Sequence, residues 1–159
     1  MPDNGQHLID VHDHLRRELA QLRDMVRRVA DGSLAVDGAR SQINTMTMRQ
    51  NNWTLGAYCA SYCRVTTVHH TIEDELMFPQ LRRLEERLAP VIDRLEEEHH
   101  AIAGVLERID AALVAMVADP VRIAELRDAV EELGEALLAH LSYEESELVE
   151  PLNRLPVRF

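Results

Sequence analysis

The sequence predicts an all-α protein, specifically an up-down-up-down four-helix bundle, and three observations support this. Apolar residues recur every three or four positions along four long stretches, which is the spacing of one helical face. Six glycines and six prolines in 159 residues leave little material for the turns of a β-rich fold. The connections between the second, third and fourth stretches are short, which favours antiparallel neighbours.

The first two stretches define the first half of the bundle. The first predicts a helix that ends near Gly32, with the stripe Leu8, Leu15, Leu19, Leu22, Val26 and Val29. The second predicts a helix with the stripe Leu55, Cys59, Tyr62, Thr66, His69, Glu73 and Leu76. We expect Asn51 or Asn52 to cap this second helix ahead of Trp53, after a short extra helix from about Asp37.

The last two stretches complete it. The third stripe contains Ile92, Leu95, His99, Ile102, Leu106, Ile109, Leu113 and Met116. It closes at Asp119, which can cap the next helix, with Pro120 at the first position of that helix. The fourth stripe contains Leu126, Val130, Leu133, Leu137, His140, Glu144 and Leu148, and its helix should reach Pro151 or a little beyond. We expect one domain over residues 1–159.

Composition excludes several classes of partner. The formal net charge of -11 opposes binding to nucleic acid or to an anionic membrane surface, because both require a basic face. No run approaches the roughly 20 apolar residues of a membrane span, and the first ten residues lack the features of a signal peptide. Cys59 and Cys63 are four apart in a predicted helix, where disulfide geometry is poor, so free thiols are expected. These features favour a cytoplasmic protein; they make no prediction of its oligomeric state.

Polar residues replace apolar ones at six positions on the four stripes. They are His12, His69, Glu73, His99, His140 and Glu144. The same register leaves other polar residues on outer or flanking faces, namely His7, His14, His70, His100, Asp74, Glu75 and Glu145, with the acidic run Glu96–Glu98 as a solvated face. The six stripe residues are therefore predicted to point into the bundle.

Their positions along the chain also predict a common depth. Between antiparallel helices of equal rise, the turn should lie midway between residues at the same level. For His99 and the His140/Glu144 pair, the midpoint falls at Asp119-Pro120-Val121, the turn already expected there. For the His69/Glu73 pair and His99 it falls at residue 85, so the second helix should continue past Pro79.

Four imidazoles and two carboxylates inside a bundle need partners, because a buried ionised carboxylate without one costs several kcal/mol. One interpretation is a hydrogen-bond network between histidines and glutamates. The other is a metal site, which is favoured because the residues come from all four helices and include two H-x-x-x-E pairs. Imidazole and carboxylate ligands without thiolate suit iron better than manganese or zinc, and two glutamates can bridge two metals.

The same motifs carry a family resemblance over nearly the whole chain. The segments are "VHDHLRREL", "HHTIEDELMFP", "EEEHHAI" and "HLSYEESEL". With the order H, HxxxE, H, HxxxE, the sequence resembles the hemerythrin-like family, also called HHE cation-binding domains. The resemblance implies a non-haem di-iron centre bridged by two carboxylates and an oxo or hydroxo group. Its ligands would be His12, His69, Glu73, His99, His140 and Glu144.

One position departs from the oxygen-carrying members of that family. They carry a second histidine one turn after the first in the third helix, where this chain has Ala103. Of about twelve coordination positions on two six-coordinate irons, about ten would be filled, leaving two for solvent, a tyrosine, an off-stripe residue such as His100, or a ligand. This favours access by a small molecule: hydrogen peroxide, oxygen or nitric oxide.

Three functions follow as hypotheses. The first is a di-iron protein that decomposes hydrogen peroxide, in a catalase-like reaction of the oxidative-stress response. The second is a non-enzymatic module that binds or senses oxygen, nitric oxide or iron, and the third is a structural or signalling bundle without metal. Tyr62, about 10 Å along the helix from His69, could donate a hydrogen bond to the site, act as a redox-active phenol, or be a core aromatic residue.

Overall fold

The protein is a four-helix bundle, as predicted. The computed structural model describes residues 3–31 and 41–159, with side chains described for 3–31 and 54–159. The long helices are α1 (Asn4–Ala30), α2 (Ser41–Ile72), α4 (Ala89–Ala118) and α5 (Ile123–Arg154). A π-helical turn, Glu73–Met77, joins α2 to the shorter α3, Phe78–Leu84. Within the described ranges there is no β-strand, which confirms the all-α prediction.

Each long helix packs against two others, so that the four form a ring. α1 lies against α2 and α5, and α4 also lies against α2 and α5. This is the neighbour pattern of an antiparallel bundle in which each helix buries one apolar stripe. No helix in the described part of the chain has both the length and the apolar composition needed to cross a membrane.

The turns fall where the depth argument places them. Glu85 has an extended backbone between α3 and a short 3-10 turn, Glu86–Leu88, so the helical path passes Pro79 before it turns. Asp119 is also extended, and its carboxylate accepts a hydrogen bond of 3.2 Å from the Val121 N–H. Pro120 starts a 3-10 turn, Pro120–Arg122, rather than α5, so its predicted place at the first position of the last helix is wrong.

The predicted start of the second helix is also wrong. Asn51 and Asn52 lie inside α2, which begins at Ser41, and therefore neither of them caps it. Asparagine is favoured at caps but costs only a few tenths of a kcal/mol inside a helix, so its presence does not fix a boundary. Asp37, where the short extra helix was expected to begin, lies outside the described residues.

A buried polar layer divides the interior of the bundle. The larger apolar cluster lies on one side of it and includes Leu15 of α1, Ile102 of α4 and Leu141 of α5. The smaller cluster lies on the other side and includes Leu8, Leu95 and Leu148 from the same three helices. His12, His99 and Glu144 fall between these residues on their helices, so apolar packing closes the layer from both ends.

The π-helical turn changes the register of the second stripe. The N–H of Phe78 bonds to the Glu73 carbonyl, five residues back, so this turn holds one residue more than an α-helical turn. The predicted inward residue Leu76 is consequently 51% exposed, and Met77 is fully buried in its place. The expectation for Leu76 is wrong because an α-helical period was continued through a turn that does not follow it.

Candidate metal site

The structure brings all six predicted residues together in the buried layer. His12 comes from α1, His69 from α2 and Glu73 from the start of the π-helical turn. His99 comes from α4, and α5 supplies His140 and Glu144. Five of the six side chains are buried, while His69 retains 13% exposure. The helical register therefore predicted the layer correctly, and its edge lies at His69.

Each glutamate lies between imidazoles of two helices. Glu73 Oε1 is 3.4 Å from His69 Nε2 and 3.2 Å from His99 Nε2. Glu144 Oε2 is 3.3 Å from His140 Nε2 and 3.8 Å from His12 Nε2. Neighbouring donors around a metal with bonds of about 2.1 Å are roughly 3 Å apart, so these separations suit shared ligation.

The inward atoms of the layer make no well-aligned hydrogen bond, although each glutamate lies 3.2–3.8 Å from its neighbouring imidazoles. These orphaned atoms are the Nε2 nitrogens of His12, His69, His70, His99 and His140, and both carboxylate oxygens of Glu73 and Glu144. A network of histidines and glutamates would have satisfied these atoms, because buried polar atoms are nearly always paired. The arrangement leaves lone pairs facing a common interior space, which is what a bound cation requires.

Burial favours the neutral imidazoles that ligation needs at His69 and His99, and it disfavours the ionised carboxylate at Glu73. It lowers the pKa of His69 to about 4 and that of His99 to about 3, so both imidazoles are neutral at pH 7 and keep a free lone pair. Burial, and then the charge of Glu144, raise the pKa of Glu73 well above its ordinary value. Two adjacent buried carboxylates are costly to ionise together, and a cation between them would remove that cost.

A fifth imidazole, His70, belongs to the same layer, so the prediction that it lies on an outer or flanking face is wrong. Its side chain is only 6% exposed. Ligand atoms of His70, Glu73, His99 and His140 lie within 4.8 Å of one another, and those of His12, His69 and Glu73 form a second such group. His7, His14 and His100 are exposed, as expected.

The spacing HHxxE contains the signal for His70. Glu73 is four residues after His69 and three after His70, and both spacings place side chains on one helical face. A single stripe with one residue per turn selects only one histidine of an adjacent pair. Because Glu73 lies at a helical spacing from each histidine, it could have identified both His69 and His70 as inward-facing.

Three carboxylates that were predicted to lie off the inward stripes contact the histidines at Nδ1, on the side away from the inward Nε2. His12 Nδ1 lies 3.0 Å from Glu145 Oε2, His99 Nδ1 lies 2.8 Å from Asp74 Oδ1, and His140 Nδ1 lies 2.9 Å from Glu98 Oε1. An Nδ1–H that donates to a carboxylate fixes the tautomer and leaves the Nε2 lone pair facing inward. Glu145 is held in turn by Arg16.

Tyr62 and the cysteines lie in the larger apolar cluster. The Tyr62 hydroxyl donates a 3.0 Å hydrogen bond to the Leu15 carbonyl of α1, so its partner is the backbone rather than a residue of the polar layer. This agrees with the interpretation of Tyr62 as a core aromatic residue. Cys59 is buried and Cys63 half-buried, and both are free thiols, as predicted.

A cleft of about 360 Å³ reaches the layer from the surface between α2 and α4. Its buried walls include His70 and His99, and its exposed rim includes Asp74, His100 and Ala103. Position 103 is one turn after His99 and lines the cleft, and its alanine has only a small side chain there. A small polar molecule can therefore approach the His70 and His99 rings from the cleft, while their Nε2 atoms stay buried.

Comparison with known proteins agrees with the chemistry of this layer. No curated protein and no solved structure matches the chain. A family model described as "Hemerythrin HHE cation binding domain" matches residues 5–152, a range that contains every residue of the polar layer.

Proposed function

Because this chain belongs to the hemerythrin HHE cation-binding family, we propose that its polar layer holds two irons and decomposes hydrogen peroxide. The observation that carries the proposal is the set of orphaned donor atoms, five imidazole nitrogens and four carboxylate oxygens, buried in one layer. Such a set is costly without a cation. The family and the geometry both support a metal-binding role.

The grouping of the donors supports two ions rather than one. One group contains His12, His69 and Glu73, and the other contains His70, Glu73, His99 and His140. Glu73 belongs to both, and Glu144 lies near histidines of α1 and α5, so each glutamate is placed to bridge. His12, His69, Glu73, His99, His140 and Glu144 would hold the irons.

Donor chemistry supports iron. The orphaned atoms are imidazole nitrogens and carboxylate oxygens, the mixture found in non-haem iron sites. Neither cysteine belongs to the layer, so the thiolate ligation that favours zinc or iron–sulfur clusters has no support here. The free thiols fit a reducing compartment such as the cytoplasm.

The groups that line the cleft favour a small, polar oxidant as the ligand. The rim of the cleft carries carboxylate, imidazole and hydroxyl groups, which can hydrogen-bond hydrogen peroxide but give little to an apolar gas. Two irons, when bound, would supply the two electrons that reduce one peroxide to water and regain them from a second peroxide, which leaves as oxygen. The protein's part is to admit peroxide through the cleft and to keep the imidazoles oriented through Asp74, Glu98 and Glu145. Such an activity belongs to the oxidative-stress response.

A second function is favoured by one observation, the fifth buried imidazole. His70 would reduce the number of coordination positions left for exchangeable ligands, and a centre with few open positions suits reversible binding. The alternative is therefore a non-enzymatic module that binds or senses oxygen, nitric oxide or iron.

The test compares iron-loaded wild-type protein with Glu73→Gln and with the matched control Glu75→Gln. Glu75 is exposed, two residues from Glu73 on the same turn, and outside both donor groups. We expect about two irons per chain and steady oxygen release from peroxide in wild type and control, both lost in Glu73→Gln. Iron binding with spectral changes on adding oxygen or nitric oxide, but no turnover of peroxide, would favour the alternative. Iron-free protein after loading would exclude both functions.

A further inference from the structure

We propose that His70 is a metal ligand and supplies from α2 the imidazole that Ala103 cannot supply from α4. The inference rests on the two-iron centre of the proposed function, to which it assigns a fifth imidazole, and it does not depend on peroxide turnover. Position 103, one turn after His99, is where the resemblance leads us to expect that imidazole.

The environment of His70 is that of a ligand rather than of a surface residue. Its Nε2 is buried and has no hydrogen-bond partner. It belongs with Glu73, His99 and His140 to one group of atoms close enough to share an ion. A buried imidazole nitrogen without a partner is unfavourable, and a metal ion would satisfy it together with its three neighbours.

Helix geometry explains how two adjacent histidines reach one centre. Successive residues of an α-helix project about 100° apart, so His69 and His70 point to different sides of the layer. The ring of His69 lies 5.3 Å from that of His12 on α1. The ring of His70 lies 3.9 Å from that of His99 and 5.1 Å from that of His140, on α4 and α5. Glu73 lies between these two directions and belongs to both groups.

Because position 103 of α4 is an alanine, there is space for the His70 imidazole beside it. Ala103 and His70 line the same cleft, with the His99 ring stacked against His70. A histidine at position 103 would extend into this cleft, which His70 also lines. The substitution is therefore compensated across the helix interface. The filled coordination positions rise from about ten to about eleven of roughly twelve.

Iron binding to three proteins tests the assignment, with His70→Ala and its matched control His100→Ala beside wild type. His100 is the second member of an equivalent His-His pair, is exposed, and lines the same cleft. Iron per chain is measured by elemental analysis over a titration, and the two iron environments by Mössbauer spectroscopy. We expect His70→Ala to bind one of its two irons at least about tenfold more weakly and to alter one Mössbauer component. His100→Ala should behave as wild type.

A rescue variant tests the exchange between α2 and α4. Placing an imidazole on α4 in His70→Ala/Ala103→His should restore the second iron and its spectral component. In wild-type protein loaded with zinc as a diamagnetic probe, the ¹⁵N resonance of His70 Nε2 should shift to a metal-bound value, while His100 should not. This last measurement needs no variant to fold.

The outcomes separate this inference from the proposed function. Loss of iron in Glu73→Gln with wild-type binding and spectra in His70→Ala would overturn the His70 assignment and leave the two-iron centre in place. An unshifted His70 resonance in zinc-loaded wild type would do the same. Wild-type protein that binds no metal would overturn the proposed function and, with it, this inference.

Discussion

Two His-His pairs lie on the neighbouring helices α2 and α4, and their surroundings differ. On α2, both His69 and His70 contribute orphaned nitrogens to the polar layer. On α4, His99 contributes one, while His100 is exposed at the rim of the cleft. The two pairs have the same sequence and lie at the same depth of the bundle. Their surroundings must therefore account for the difference.

The residue one turn later distinguishes them. On α2, Glu73 follows His69 by four residues and His70 by three, and its carboxylate belongs to both donor groups. At the equivalent place after the pair on α4 is Ala103, which has nothing to offer a cation. An adjacent histidine pair is thus a weak indicator that both side chains face the interior, and the indication is stronger when a carboxylate follows at both helical spacings, as on α2.

The largest expected effect comes from deleting each pair in full. His69→Ala/His70→Ala removes imidazoles from both donor groups, so we expect no bound iron and no rise in melting temperature on loading. His99→Ala/His100→Ala removes one ligand, so part of the rise should remain. At 1,000 times Kd, a ligand adds about 4 kcal/mol of stability, and each kcal/mol is worth roughly 2–4 °C at this chain length. Calorimetry with elemental analysis checks this, and equal losses in the two double variants would contradict the comparison.

The second effect is a loss of stability of the metal-free protein in acid. His69 and His99 have folded-state pKa values of about 4 and about 3, below the ordinary value of 6.5, because burial disfavours their charged forms. Below pH 6.5 these two imidazoles take up protons in the unfolded chain but not in the folded one, so they remove stability as pH drops from 6.5 towards those values, while Glu73, whose pKa is raised, acts in the opposite direction. Each imidazole contributes up to about 3–5 kcal/mol.

Urea unfolding of metal-free protein at pH 7 and at pH 5 measures this loss. His99→Asn cannot titrate in this range and should show a smaller difference between the two pH values than wild type. An equal difference between the two pH values in wild type and in His99→Asn would mean that the His99 imidazole is not buried in the neutral form.

The third effect concerns the hydrogen bond between Asp74 and His99, the α4 imidazole that lies in the polar layer. Asp74→Asn weakens the 2.8 Å contact with His99 Nδ1 and so loosens the orientation of that ring. We expect metal affinity to fall by about 10–100-fold, the usual range for losing such a partner. Glu75→Gln changes a neighbouring carboxylate that is exposed and touches no ligand, so it serves as the control in the same titration. Equal metal affinities of Asp74→Asn and Glu75→Gln would show that Asp74 does not position His99.

The smallest effect is expected at Tyr62, which lies on α2 but outside the layer. Tyr62→Phe loses only the hydrogen bond to the Leu15 carbonyl, so the free energy of unfolding should fall by about 1 kcal/mol. Iron content and peroxide turnover should be unchanged. A changed optical spectrum in iron-loaded Tyr62→Phe would instead restore Tyr62 as a phenol that interacts with the centre.

Much of the fold was predictable because apolar periodicity and depth are linear properties of the sequence. The stripes of α1, α4 and α5 and the turn at Glu85 follow from counting residues. The start of α2 could not be predicted in this way, because the sequence does not distinguish an asparagine inside a helix from one at a cap. The inward position of Met77 could not be predicted either, since a π-helical turn leaves no mark on the local composition.

The six inward-facing stripe residues of the polar layer were predictable from the sequence. Residues that interrupt an apolar stripe can be read from one helix at a time, and all six such residues lie in the layer. The contacts of Asp74, Glu98 and Glu145 join different helices, and their side chains occupy flanking positions where a solvated carboxylate is the ordinary expectation. Only the packed bundle shows which of these carboxylates reaches a histidine.

The division of the apolar interior by the polar layer has a consequence for folding cooperativity. Without metal, the two clusters meet across a plane of unpaired donors, so the smaller cluster, with Phe78, Leu81 and Leu152, can open without disrupting the larger one. A cation bound to residues of all four long helices would tie the two clusters together. Amide hydrogen exchange should then report two opening units in the metal-free protein and a single unit once metal is bound.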